Sequence, residues 1–91
     1  MSKYRPKALE TEARQWDGTA ASANELVAWV EAGGMLAYYD TSQFPDALYV
    51  VINTLNGPLH ASPNDWLVQG ASGEFSVYKP DVFAATFDPK P

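Results

Sequence analysis

Three sets of residues in this chain carry side chains whose type and spacing could do chemistry. His60 is the only histidine, and Asp65 is the carboxylate nearest to it in sequence. Across a turn at Ser62–Asn64 the two could meet as a base and its orienting acid. A lone histidine on a strand edge explains His60 equally well without any reaction. Glu10 and Glu12 alternate on one strand face at a separation of ~7 Å, a spacing that suits glycoside hydrolysis. Arg14 continues the same row, so a solvated charge ladder accounts for all three. Gly70-Ala71-Ser72-Gly73 has the composition of an anion nest. It lacks the lysine and helix of a phosphate loop, Glu74 follows it, and it reads as a hairpin turn. Asp65 and Asp81 each have ready work as turn or cap acceptors. No serine sits in a Gly-x-Ser-x-Gly elbow. One histidine and no cysteine would leave a metal an all-carboxylate remainder. No nucleophile or acid–base pair assembles, so we expect no enzyme, no cofactor and no metal site.

The aromatic residues carry more information than the polar ones. Trp16, Trp29, Trp66, Phe75, Phe83 and Phe87 are the expected anchors of a small core. Tyr38 and Tyr39 must point opposite ways if they lie on a strand, so one of them faces outward. With Met35, Phe44 and Tyr49 they form a candidate exposed apolar patch, the kind of surface that marks a partner site. Lys3, Arg5 and Lys7 are a second candidate, a basic start able to meet an acidic partner; solvation of a terminus explains them as simply.

The elements that must position these residues follow from patterning. Ninety-one residues with 46% hydrophobic side chains make one globular domain, residues 1–91. Residues 8–16 alternate as a first strand, with Leu9, Thr11, Ala13 and Gln15 mildly apolar and Glu10, Glu12, Arg14 and Trp16 on the charged side. Ser22 to Glu25 has the form of a capping box. It opens a helix over about 22–33 that buries Leu26, Trp29, Val30 and Gly33, with Val27 beside them, and ends at Gly33-Gly34. Met35–Tyr39 is a strand and Asp40–Asp46 a loop. Ala47–Thr54 is apolar on both faces and so is a central strand. Asn56-Gly57 signals a type I′ hairpin into Pro58–Ala61. Pro63-Asn64 turns into Asp65–Gln69, Gly70–Gly73 turns into Glu74–Tyr78, and Pro80-Asp81 opens a short helical turn before Ala85–Asp88. The expected fold is α+β: a highly curved antiparallel sheet or small open barrel of about five to seven short strands carrying one helix.

Composition narrows the setting. Residues 1–14 carry four basic and two acidic groups, whereas 15–91 carry two basic and nine acidic groups. A body at −7 repels phosphate backbones, which argues against general nucleic-acid binding. No apolar run approaches a membrane span and no secretory signal is visible, so a cytoplasmic location is the expectation.

The ordered motifs resemble a family. They are Lys3-Tyr4-Arg5, Glu12-Ala13-Arg14-Gln15-Trp16, Thr54-Leu55-Asn56-Gly57, Pro63-Asn64-Asp65-Trp66-Leu67-Val68-Gln69-Gly70, Gly73-Glu74-Phe75 and Lys79-Pro80-Asp81-Val82-Phe83. Together they resemble a widespread family of small tailed-phage and prophage proteins. That family is itself similar to short proteins named for a Pro-Gly-Asp-Tyr-Gly motif. The likeness spans most of the chain except the Asp40–Asp46 loop. Asn56 stands where an acidic residue is usual, Asn64 replaces the motif glycine and Thr11 replaces an aliphatic residue. Asn is well suited to take over a positive-φ glycine position, so Asn64 keeps the turn. The resemblance implies a bacteriophage accessory protein and carries no catalytic residue across. The expected role is therefore non-enzymatic binding of a host protein, in host takeover or counter-defence. Self-association as a homodimer is a further expectation. The alternatives are sequestering a nucleotide signal, with Trp or Tyr on the base and Arg5, Lys7 or Arg14 on phosphates, and, third, a virion-associated structural role.

Overall fold

A computed structural model of the protein describes residues 12–86. The elements, in order, are β1 (Glu12–Gln15), α1 (Ala20–Ala32), β2 (Leu36–Asp40), β3 (Tyr49–Thr54), β4 (Gly57–Ala61), β5 (Trp66–Gln69), β6 (Phe75–Tyr78) and α2 (Pro80–Thr86). The fold is α+β, as the patterning implies. Among the described residues six strands form two three-stranded antiparallel sheets, β1-β5-β6 and β2-β3-β4, which do not close into a barrel. β3 is the central strand of its sheet, as its two apolar faces require.

Helix α1 starts earlier than the Ser22–Glu25 box implies. Its N-cap is Thr19, whose Oγ1 accepts the Ser22 N–H at 3.1 Å. Asp17 Oδ1 in turn accepts both the Thr19 N–H, at 2.9 Å, and the Thr19 hydroxyl, at 2.6 Å. Ala20 and Ala21 are strong helix formers, so the helix extends back to the first residue able to cap it. Gly18, at φ +90°, cannot be helical and sets that limit. At the other end Gly33 and Gly34 stop the helix as expected, with Gly34 at φ +96°. The line buried on α1 is Ala23, Leu26 and Val30, whereas Trp29 is half-buried and Gly33 exposed.

Strand register assigns the faces. Ala37 and Tyr39 of β2, Val50 and Ile52 of β3, and Leu59 and Ala61 of β4 share the inner face of their sheet. They pack with α1, Trp16, Leu67 and Phe75 in a single cluster. In the other sheet Arg14, Leu67 and Val77 lie in one row and Glu12, Gln69 and Phe75 in the next. The charged row of β1 is thus on the core side, opposite to the expected arrangement. Two facts reconcile this. β1 is an edge strand, so Glu12 and Arg14 reach solvent at the rim, and Trp16, next in the same alternation, dives inward and is fully buried. Of the other expected anchors, Phe75 is buried, Trp29, Trp66 and Phe83 are half-buried, and Phe87 lies outside the described residues. Trp66, on the opposite face of this sheet, stacks on Phe83 of α2 with ring centroids 4.0 Å apart. From Pro80 the chain makes a helix through Thr86, longer than the single turn expected.

The β3–β4 hairpin also departs from expectation. Thr54 pairs with Gly57 across Leu55-Asn56, and positive φ falls on Gly57 (+113°), with neither Leu55 nor Asn56 in that region. That is the pattern of a turn followed by a glycine bulge, and not a type I′ turn. The Thr54 hydroxyl joins the turn by donating to Gly57 O and accepting the Asn56 N–H at 3.2 Å. Asn64, at φ +76°, does occupy a glycine-like conformation. Space around Gly57 is open, so any penalty there comes from the backbone dihedral alone. Gly57→Val and Asn64→Val should each destabilise by about 1–2 kcal/mol, and Asn64→Gly by only a few tenths. Urea unfolding checks this, and equal midpoints for Asn64→Val and Asn64→Gly would overturn it.

Candidate functional site

The outer face of the β2-β3-β4 sheet carries the candidate site. Register places Leu36, Asn53 and Pro58 in one row, Tyr38, Val51 and His60 in the next, and Asp40 beside Tyr49 in the third. Leu36 is 69% exposed and Tyr38 48%, whereas Val51 between Tyr38 and His60 is fully buried. Tyr49 meets His60 edge to face, with centroids 5.3 Å apart. Phe44, 67% exposed, sits on the loop that joins Asp40 to Tyr49. With Pro45, Leu48 and Pro63 it lines a shallow groove of about 320 Å³ that also takes in Asp46.

Of the residues picked out by sequence, Tyr38 and Tyr49 therefore share one face, with Phe44 on the loop at its end. Tyr39 does not join them. It points inward and meets the Trp16 ring edge on, 5.9 Å between centroids. Met35 is half-buried and lines a different groove, of about 450 Å³, with Leu59, Phe75, Val77 and Glu74. Lys3, Arg5 and Lys7 lie outside the described residues. Leu36 is the member that sequence reasoning missed. Its signal was the alternation with Tyr38, which puts both large side chains outward and leaves Ala37 to pack within.

The polar candidates have structural roles. His60 and Asp65 do not form a pair. His60 is exposed beside Tyr49, whereas Asp65 is buried and its Oδ2 accepts the Ser62 N–H and the Lys79 ammonium, each at 2.9 Å. Glu12 and Arg14 form an ion pair at 2.7 Å, and the guanidinium lies 4.6 Å over the Trp29 ring. The N–H groups of Gly70 and Gly73 are spent within their own turn, on Glu74 O at 2.8 Å and Gly70 O at 2.9 Å. Ser72 donates to the Glu74 carboxylate and lowers its pKa below the usual value. Asp81 Oδ1 accepts the Val82 N–H at the start of α2.

Electrostatically the site is acidic. Asp40 Oδ1 accepts the Ser42 N–H at 2.9 Å, and this bond is the main reason its pKa lies below the ordinary carboxylate value. The Ser42 hydroxyl and the charge of nearby His60 pull in the same direction. No Lys or Arg occurs between Arg14 and Lys79, and among the described residues neither groove is lined by a lysine or arginine. Among the described residues no cluster of three His, Cys, Asp or Glu could hold a metal ion, and no helix is long and apolar enough to cross a membrane. In comparisons with known proteins, no family model matches the chain, and neither a curated protein nor a solved structure is significantly similar to it.

Proposed function

We propose that this chain is a non-enzymatic protein-docking module whose interface is the outer face of the β2-β3-β4 sheet. One observation carries the reading: Leu36 and Tyr38 stand exposed on one face of a sheet whose other face is fully used by the core. With Phe44 exposed on the loop that follows their strand, they supply aromatic and aliphatic side chains of the kind that anchor protein interfaces. The motif resemblance supplies the setting, a bacteriophage or prophage accessory protein that meets a host protein in the host cytoplasm.

The test compares wild-type protein with a Leu36→Ser/Tyr38→Ser variant as baits in lysate of the host bacterium. Both positions are exposed, so the variant should keep its melting temperature within a few degrees. A stoichiometric partner held by the wild type should be weakened by at least about thirtyfold in the variant. Equal retention by both baits would remove this face from the interface. Sedimentation of the wild-type protein alone distinguishes a second copy of the chain from a foreign partner.

A further inference from the structure

Deepening the docking reading above, and resting on it, we infer that the partner surface seated on this face is cationic and presents arginine to Tyr38, Tyr49 and Asp40. The first support is charge. The described body carries nine Asp and Glu against Arg14 and Lys79. Both cations are already engaged, Arg14 with Glu12 and Trp29 and Lys79 with Asp65. No lysine or arginine of the described body stands on this sheet, whose one basic side chain is His60, while Asp40 stands on it and Asp46 lines the groove beside Phe44. An anionic partner would be repelled here, and a neutral one would leave these carboxylates without a counter-charge.

The second support is the chemistry of the face itself. The exposed Tyr38 ring and the half-buried Tyr49 ring, both on the face that carries the Asp40 carboxylate, match the two preferences of a guanidinium. It stacks on aromatic faces and it bonds carboxylates through a planar fork. Asp40 is pre-aligned for this. Its Oδ1 accepts the Ser42 N–H, which fixes the carboxylate at the loop end. Lysine, a compact and strongly hydrated charge, gains less from such a surface.

Short arginine-rich and lysine-rich peptides of equal length and charge are the probes, with affinity followed by fluorescence anisotropy. The arginine peptide should bind wild type about five- to tenfold tighter than the lysine peptide. Asp40→Asn keeps an oxygen for Ser42 and so keeps the turn, yet it should lose about five- to tenfold for the arginine peptide. Glu31→Gln removes the same charge from exposed α1, across the core from this face, and should change binding less than about twofold. Equal affinity for the two peptides, or equal losses in Asp40→Asn and Glu31→Gln, would reduce the effect to diffuse attraction and overturn the inference. A partner that needs Leu36 and Tyr38 but binds Asp40→Asn undiminished in about 0.05 M NaCl, where exposed charges are little screened, overturns the cationic inference alone. A face that holds neither peptide nor partner overturns the docking reading with it.

Discussion

Trp16→Ala should lower the melting temperature by more than about 12 °C, the largest effect of any single substitution in this chain. The side chain is fully buried and is the largest in the core. Truncating a buried tryptophan removes about 3–5 kcal/mol, and each kcal/mol is worth about 4–8 °C in a domain of this size. Position raises the effect further. The Trp16 N–H donates to Asp65 O at 3.0 Å and its carbonyl accepts the Asn64 N–H at 2.7 Å, which fastens the end of β1 to the turn before β5. Its Nε1–H donates to Thr19 O at 2.9 Å, at the cap of α1, and its ring meets Tyr39 of the other sheet. One residue therefore joins both sheets and the helix start. Trp16→Phe keeps an aromatic ring against Tyr39 and loses the indole bond. Thr19 O retains the Ala23 N–H as a donor, so no buried acceptor is stranded, and the expected loss is about 1–2 kcal/mol. Urea unfolding of the pair gives the comparison. A loss under about 1 kcal/mol for Trp16→Ala would show that Trp16 does not hold the two sheets together.

The readable parts of the fold are those where a residue type has few conformational solutions. Gly34, Gly57 and Asn64 all adopt the positive φ expected of them, and the two-sided apolar run at 49–54 sits at the centre of a sheet. Where several residues could do one job, local pattern chose wrongly. Ser22 and Thr19 are both competent caps, and only the favourable Ala20-Ala21 segment and the positive φ of Gly18 decide for Thr19. On β1 charge alone points the Glu12 and Arg14 side outward, yet the strand is at an edge, where long side chains escape at the rim while the row continues inward to Trp16. The turn at Leu55-Asn56 is ambiguous in sequence because Asn-Gly serves both as a type I′ pair and as the last two residues of a bulged turn, the form observed. For the candidate site, alternation alone shows that Tyr38 and Tyr39 point apart. Which one faces out depends on Trp16, twenty-three positions away in sequence, filling the space beside Tyr39. Leu36 shares the face of Tyr38 by the same alternation, whereas His60 joins them only through register between strands, which tertiary packing sets.

Asp65→Ala is expected to cost about 2–4 kcal/mol, with Lys79→Met costing under about 1 kcal/mol, although the two residues form an ion pair. The asymmetry follows from burial. The Asp65 side chain is 2% exposed and that of Lys79 is 60% exposed. Losing the lysine leaves a carboxylate that still accepts the Ser62 N–H and can draw on water from the Lys79 side. Losing the carboxylate strands the Ser62 amide inside the protein and releases the turn that carries Asn64, whose amide binds Trp16. Asp65→Asn retains one acceptor oxygen for Ser62 and sets an amide against the ammonium, so an intermediate loss of about 1–2 kcal/mol is expected. In the double variant Asp65→Ala/Lys79→Met the loss should stay close to that of Asp65→Ala alone, because the exposed cation adds little once its partner is gone. Urea midpoints for the four proteins decide the matter. Should Lys79→Met prove as damaging as Asp65→Ala, the ion pair and not the amide bond would be what holds the loop. The acid that sequence sets nearest His60 would then still be committed to the fold, since both of its described side-chain contacts lie within the turn and β6–α2 junction that it pins in place.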